Sequence, residues 1–186
     1  MTFTTATEDL INLLIDCRIL FEPILARAAD EIAARLKCGA TIWLIGNGGS
    51  AAQASHLAAE FVGRMRHDRD PIPAVALGMD PSVTSCITND WSGPVALPRQ
   101  TDALVRYPDV LLAFSTSGKS ANVINCIGPA RKIGAYTVGF TGESGMLAPC
   151  HTLFAVPSGD TARIQEVHAV LGHCLVELIE ARLWKF

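Results

Sequence analysis

The sequence predicts an α/β fold in which a parallel sheet is covered by helices on both faces. Three observations predict it. Short apolar runs with the character of buried strands recur along the chain, the clearest being Ile42-Trp43-Leu44-Ile45 and Val110-Leu111-Leu112-Ala113-Phe114. Stretches with helical spacing separate these runs, the alternation that parallel sheets require. The chain has 186 residues, 49% of them apolar and 18% charged, enough for one full-sized core and too apolar for disorder. Residues 1–186 are therefore read as one domain, a helical segment over 1–38 followed by an α/β core over 39–186.

Residues 7–37 read as helix. Leu10, Leu13, Leu14, Cys17, Leu20, Phe21, Ile24 and Leu25 form a wide apolar stripe that Ile32, Ala33 and Leu36 continue. Pro23 removes a helical hydrogen bond, so a kink or break is expected at about Phe21–Glu22. The stripe fits packing on its own domain and packing in a bundle between subunits equally well.

The first strand, Ile42–Ile45, turns through Gly46-Asn47-Gly48-Gly49 into a helix from about Ser50. Asn and Gly tolerate the positive φ of such a turn, and Ser is a good N-cap. Ala74–Leu77 is the second strand. Asp80-Pro81-Ser82 starts a helix with proline in its first turn, and Thr88-Asn89-Asp90-Trp91 reads as a polar turn. A helix from about Leu97 to Arg106 precedes the third strand, Asp109–Phe114, which runs into Ser115-Thr116-Ser117-Gly118-Lys119-Ser120. A helix to about Lys132 leads to the fourth strand, Ala135–Phe140. A Gly-rich turn and a short helix precede the fifth, Thr152–Val156, and a last helix spans about Ala162 to Trp184.

Composition excludes several functions. The net charge is −3 with no basic block, which argues against nucleic-acid binding. The N-terminus MTFTTATEDL lacks the basic and apolar regions of a secretory leader, and no apolar stretch reaches membrane-spanning length. The six cysteines (Cys17, Cys38, Cys86, Cys126, Cys150, Cys174) are scattered without a CxxC pair, as expected of reduced, mostly buried thiols in a cytoplasmic protein.

Two loops leave strand carboxyl ends, where open α/β sheets bind ligands, and are expected to face one crevice. Gly46–Gly49 opens a helix whose N-terminal N–H groups suit an anion, most often a phosphate. In 115–120, Ser115, Thr116, Ser117 and Ser120 supply hydroxyls around a flexible glycine. Helix capping explains one of them, Ser120, but hardly the set, and phosphate binding is the favoured reading. The GxxxxGK(S/T) pattern of a nucleotide loop is absent, and GNGGS does not match GxGxxG. Asp68 and Asp70 precede the second strand rather than end it, so a dinucleotide is not expected.

His56 and Glu60 share one helix face. Alone the pair is undecided, because a histidine in an Ala-rich helix is more often a satisfied core residue. The last helix carries Gln165 and His173, about 12 Å of rise and roughly 80° apart. Both reach one centre only if it lies between them, or if subunits share the site. His168 reads as a structural or exposed imidazole, and His67 and His151 as solvated.

The segments GNGGSAAQASHLAAEF, TNDW, STSGKSANVI and TARIQEVHAVLGH, in this order and spacing, resemble the phosphosugar isomerase (SIS) domain, and more narrowly the sedoheptulose-7-phosphate isomerase (phosphoheptose isomerase) family. The resemblance covers nearly the whole chain. It implies a flavodoxin-like, five-stranded parallel sheet between helices, assembled through the N-terminal helices as a homotetramer with active sites at subunit interfaces. It implies metal ligands at His56, Glu60, Gln165 and His173, usually for zinc, one per subunit. It implies sugar-phosphate contacts at Asn47, Gly48, Gly49, Glu60, Asn89, Asp90, Ser115, Thr116, Ser117, Ser120 and Gln165, with Arg64 a further candidate. Lys119 stands where the family commonly has asparagine, and Trp91-Ser92-Gly93-Pro94 departs from the family pattern.

The implied reaction converts D-sedoheptulose 7-phosphate into D-glycero-D-manno-heptose 7-phosphate through an enediol. Glu60 is expected to take the carbon-bound proton and His173 to serve the oxygens. The alternative is a non-enzymatic protein of the same fold, either a sugar-phosphate-binding regulator or a replication-initiator-associating relative. The latter typically lack the glutamate and histidine found here at 60 and 173.

Overall fold

Apolar runs bounded by glycine and polar residues become strands here because both faces of the sheet are covered. The computed structural model describes residues 2–146 and 148–185. Its elements are α1 (Phe3–Lys37), β1 (Ile42–Ile45), α2 (Gly49–Val62), β2 (Ala74–Ala76), α3 (Pro81–Asp90), a 3-10 turn (Gly93–Val95), α4 (Ala96–Leu104), β3 (Val110–Ser115), α5 (Ala121–Lys132), β4 (Tyr136–Thr141), β5 (Thr152–Ala155) and α6 (Thr161–Leu183). The five strands are all parallel and lie in the order β2-β1-β3-β4-β5. Chain order reverses between β1 and β3, which places the crevice of a doubly wound sheet beyond the carboxyl ends of those two strands.

Alternation along β3 divides the core. Val110, Leu112 and Phe114 join the cluster beneath α1, α2 and α6, whereas Leu111 and Ala113 join the cluster beneath α4 and α5. Phe114 stacks on Phe140 at 4.3 Å, and Phe140 meets Phe154 at 5.1 Å, a row that crosses three strands. At the opposite end of the sheet the buried Asp109 carboxylate accepts from the Thr41 N–H, the Arg106 N–H and Trp43 Nε1 at 2.8–2.9 Å. That fixes the roots of β1 and β3, the two strands whose far ends carry the polar loops.

Three local expectations differ from what is seen. Pro23 neither breaks nor ends the first helix, since α1 runs unbroken from Phe3 to Lys37. Pro23 is exposed, so the hydrogen bond it forfeits faces water, while Cys17, Phe21, Leu25 and Ala28 hold both flanks on one buried surface. Thr88–Asp90 are the last turn of α3, whose Asp80 N-cap accepts from Ser82 N–H and Val83 N–H, rather than a separate polar turn. Between β4 and β5 the described residues form turns and irregular backbone where a short helix was expected, and Leu147 lies outside the described residues.

Candidate active site

The glycine loop is shaped by constraints that only glycine meets. Gly48 has φ +52°, and a Cβ at Gly46 would sit 2.7 Å from the Ser50 carbonyl group. Gly48 is also the N-cap of α2 and supplies no side-chain cap, so the positive end of that helix stays turned toward the crevice. Ser50, expected as the cap, lies inside the first turn and is buried, its N–H bonded to the Asn47 carbonyl.

The hydroxyl loop is equally constrained. Gly118 has φ +64°, and a Cβ there would meet the Gly145 carbonyl oxygen at 1.7 Å. Ser120 is the N-cap of α5 but makes no side-chain cap; its hydroxyl instead accepts from Ser115 Oγ at 3.0 Å. Ser117 Oγ accepts from the Lys119 N–H. Capping therefore consumes none of the four hydroxyls.

The two loops meet. Asn47 and Asn122 exchange a reciprocal pair of amide hydrogen bonds of 2.9 and 2.8 Å across the crevice mouth. Asn122 was not singled out from sequence. It lies within the STSGKSANVI segment, but its pairing across 75 positions has no local signal.

On α2 and α6 the chemistry-bearing side chains face one another. His56 Nε2 lies 2.8 Å from His173 Nε2, and 3.7 Å from Glu60 Oε1. One ligand atom from each of His56, Glu60 and His173 fits within a 4.8 Å spread. Two imidazole nitrogens and a carboxylate oxygen converging on one point form a donor set that suits zinc. The side chains of His56 and Glu60 are 51% and 21% exposed, so a ligand can reach them.

Gln165 is placed at the other end of this helix pair. Its carboxamide lies over Gly49, where a Cβ would stand 2.6 Å from Nε2, and its backbone carbonyl accepts a short bond from Gln53 Nε2. Gln165 thus joins the glycine loop, two turns of α6 from His173. Gln53, whose Oε1 is buried and unpartnered by protein, is a second residue that sequence reading passed over. Asn89 and Asp90 end α3, where Asn89 Nδ2 donates to Asp90 Oδ1 at 3.0 Å. Asn89 also lines a cavity of about 790 Å³ with Gly78, Met79, Thr84 and Thr88, beyond the carboxyl end of β2. Arg64 and Lys119 are exposed. His168 is fully buried, with Nε2 3.2 Å from the Thr141 carbonyl and its ring against Phe114 and Phe140, and burial lowers its pKa to about 4.

An open parallel sheet with a loop suited to an anion on each side of its switch point is an arrangement that fits proteins holding phosphorylated small molecules. Residues 18–142 match the SIS domain family. The phosphoheptose isomerase of Aquifex aeolicus (strain VF5) is 44% identical over 163 residues, covering 87% of this chain and 85% of that one. That of Desulfovibrio desulfuricans is 46% identical over 164 residues, 87% and 78% of the two chains. Among solved structures, phosphoheptose isomerase GmhA from Neisseria gonorrhoeae superposes with a TM-score of 0.87 at 34% identity, covering 96% of each chain. A phosphoheptose isomerase from Francisella tularensis gives 0.91 at 28% identity, covering 97% of this chain and all of that one. The chain belongs to the SIS-domain family and, within it, to the phosphoheptose isomerases.

Proposed function

We propose that the chain interconverts D-sedoheptulose 7-phosphate and D-glycero-D-manno-heptose 7-phosphate, a step of bacterial heptose biosynthesis. The observation that carries this reading is the convergence of His56, Glu60 and His173 beside two phosphate-suited loops. From Gly49 to His56 is seven residues, about 10 Å along α2, which suits the reach of an open seven-carbon sugar phosphate. The phosphate sits on Gly48, Gly49 and the hydroxyls of Ser115, Thr116, Ser117 and Ser120, with Asn47 and Gln165 alongside. Asn89 and Asp90 contact the sugar. The C1–C2 end then lies at the imidazoles and carboxylate.

Glu60 removes a proton from C1, and the electrons of that bond form the C1–C2 double bond. His173, protonated, gives a proton to the C2 oxygen, and the enediol results. His173 then takes the proton of the C1 hydroxyl, the C1 carbonyl forms, and Glu60 returns a proton to C2. No atoms or electrons are gained or lost. His56, Glu60 and His173 would hold zinc through one donor atom each, whereas Gln165, over Gly49, would join it only from another subunit. When bound, zinc would polarise the sugar oxygens and stabilise developing negative charge, leaving the second Glu60 oxygen and the other His173 ring nitrogen for the proton transfers.

We further propose that the molecule assembles as a homotetramer through α1. Ile11, Ile15 and Ile19 recur every four residues and are 51%, 49% and 71% exposed. An apolar groove of about 660 Å³ between α1 and α6, remote from the loops, adds to this uncovered face. No helix among the described residues is long and apolar enough to cross a membrane. Placement in a reducing cytoplasm rests on the six free thiols, of which Cys17 and Cys126 are buried and Cys38 and Cys86 exposed, rather than most being buried as expected.

The test is turnover of sedoheptulose 7-phosphate by zinc-replete and chelator-treated protein. Activity that chelation removes and zinc restores is expected. Equal turnover in both would remove zinc from the reaction, and binding of a replication initiator without any turnover would favour the non-enzymatic alternative.

A further inference from the structure

We propose that Arg69 is a positioning residue that sets α2 against α6 and so holds Glu60 and His56 in register with His173. This rests on the proposed role of those three side chains. Arg69 lies in the connection between α2 and β2, and its side chain is fully buried. The last carbonyls of a helix lack intrahelical partners. Here Arg69 supplies them: Nη2 donates to the Glu60 carbonyl at 2.8 Å, and Nη1 to the carbonyls of Phe61 at 2.8 Å and Gly63 at 3.1 Å. Nη1 also donates to the Asp70 carbonyl, which closes the loop on itself. The other side of the fork grips α6, where Nε and Nη2 each lie 2.8 Å from Oε1 of Glu180, itself 2% exposed. The Trp184 ring covers the guanidinium at 5.6 Å.

Two features tie this clamp to the site. Glu60 belongs to both, its carboxylate to the cluster and its carbonyl to Arg69. On α6, His173 and Glu180 are seven residues apart, which puts both on the face turned to α2. The helices run side by side in the same direction, with Gly49 against Gln165 and Leu57 against Gly172, where a Cβ would stand only 2.6 Å from Leu57. Close packing at Gly172 leaves sliding along the axes as the free adjustment, and the Arg69–Glu180 pair opposes that slide. A planar five-donor fork can do this, whereas a lysine, a single point donor, cannot.

Two variants test it. Arg69→Lys keeps the charge and loses the fork. Arg69→Met with Glu180→Leu replaces the buried pair by apolar groups, an exchange that proteins often tolerate without loss of stability. For each, zinc affinity is measured by competition with a chromogenic chelator, kcat and KM with sedoheptulose 7-phosphate, and Tm. The expectation is zinc bound about tenfold more weakly and kcat lowered about tenfold to a hundredfold, with KM nearly unchanged, because the phosphate loops are untouched. A lower Tm with zinc affinity and kcat preserved would make Arg69 a purely structural residue and overturn the proposal. So would failure of both variants to fold, which would mean that the fold rather than the site requires the pair. A wild-type protein that binds zinc but does not turn over sugar phosphate would remove the isomerase reading while leaving the clamp testable by zinc affinity alone.

Discussion

At the residue scale, the roles divide by what each side chain can do where it stands. Glu60 is the carboxylate of the cluster, so Glu60→Gln, which keeps shape and removes basicity, is expected to lower kcat about 10²–10⁴-fold with modest change in KM. His168 is a different histidine. Burial lowers its pKa to about 4 against an ordinary 6.5, so the folded state binds fewer protons than the unfolded state between those values. Stability from this group is therefore complete above about pH 6.5 and is lost as pH falls toward 4, a difference on the order of 3 kcal/mol. Urea unfolding at pH 7 and pH 4.5 measures it, and a His168→Phe variant is expected to lose that part of the pH dependence. The loop residues were legible in sequence because glycines at a strand end and clustered hydroxyls report local backbone needs. The Asn47–Asn122 side-chain exchange and the bond from Gln53 Nε2 to the Gln165 backbone carbonyl were not, since each joins positions 75 or more apart with no signal in either local context.

At the element scale, packing overrode two local signals. Proline usually ends a helix, yet α1 passes through Pro23 because its solvent face tolerates the lost bond. The TNDW segment reads as a turn from its polar residues, but Ile87 anchors it as helix. The loop–helix junctions behave as their residues suggest, and this gives a sharp expectation at Gly118. An alanine there would carry its Cβ into the Gly145 carbonyl at a positive φ, costing at least about 1–2 kcal/mol from backbone conformation alone. Thermal unfolding of Gly118→Ala should fall by about 4 °C or more, accompanied by a raised KM for the sugar phosphate. An unchanged Tm and KM would mean that the loop does not need its contact with Gly145.

At the scale of the whole molecule, dimensions explain what the chain leaves uncovered. α1 has 35 residues and is about 50 Å long, while strands of at most six residues span only about 20 Å. The C-terminal part of α1 packs on the sheet and α6, with Phe21 edge-on to Phe154 at 5.5 Å. Its N-terminal part packs along α6, where Arg163 Nη1 donates to the Ala6 carbonyl and Leu13 and Cys17 are buried, while its outer face presents Ile11, Ile15 and Ile19. Most of the stripe is thus buried within the chain, while Ile11, Ile15 and Ile19, outside that stripe, form an outer apolar face without cover in the single chain. Replacing Ile15 and Ile19 together by glutamate should leave the subunit folded and reduce its mass in sedimentation from that of a tetramer. A wild-type monomer would contradict the assembly. Strand alternation and the crevice were legible because they follow from the spacing of apolar runs, whereas the order β2-β1-β3-β4-β5 emerges only from pairing.

The central claim is that Glu60, with His173, moves a carbon-bound proton on a sugar phosphate held by the two loops. Proton NMR of sedoheptulose 7-phosphate with zinc-replete protein in heavy water tests it most directly. The account predicts that heptose 7-phosphate appears with solvent deuterium at C2, and that Glu60→Gln forms product at a rate lower by the factor given above. No conversion by the wild-type protein, or full activity in Glu60→Gln, would contradict it.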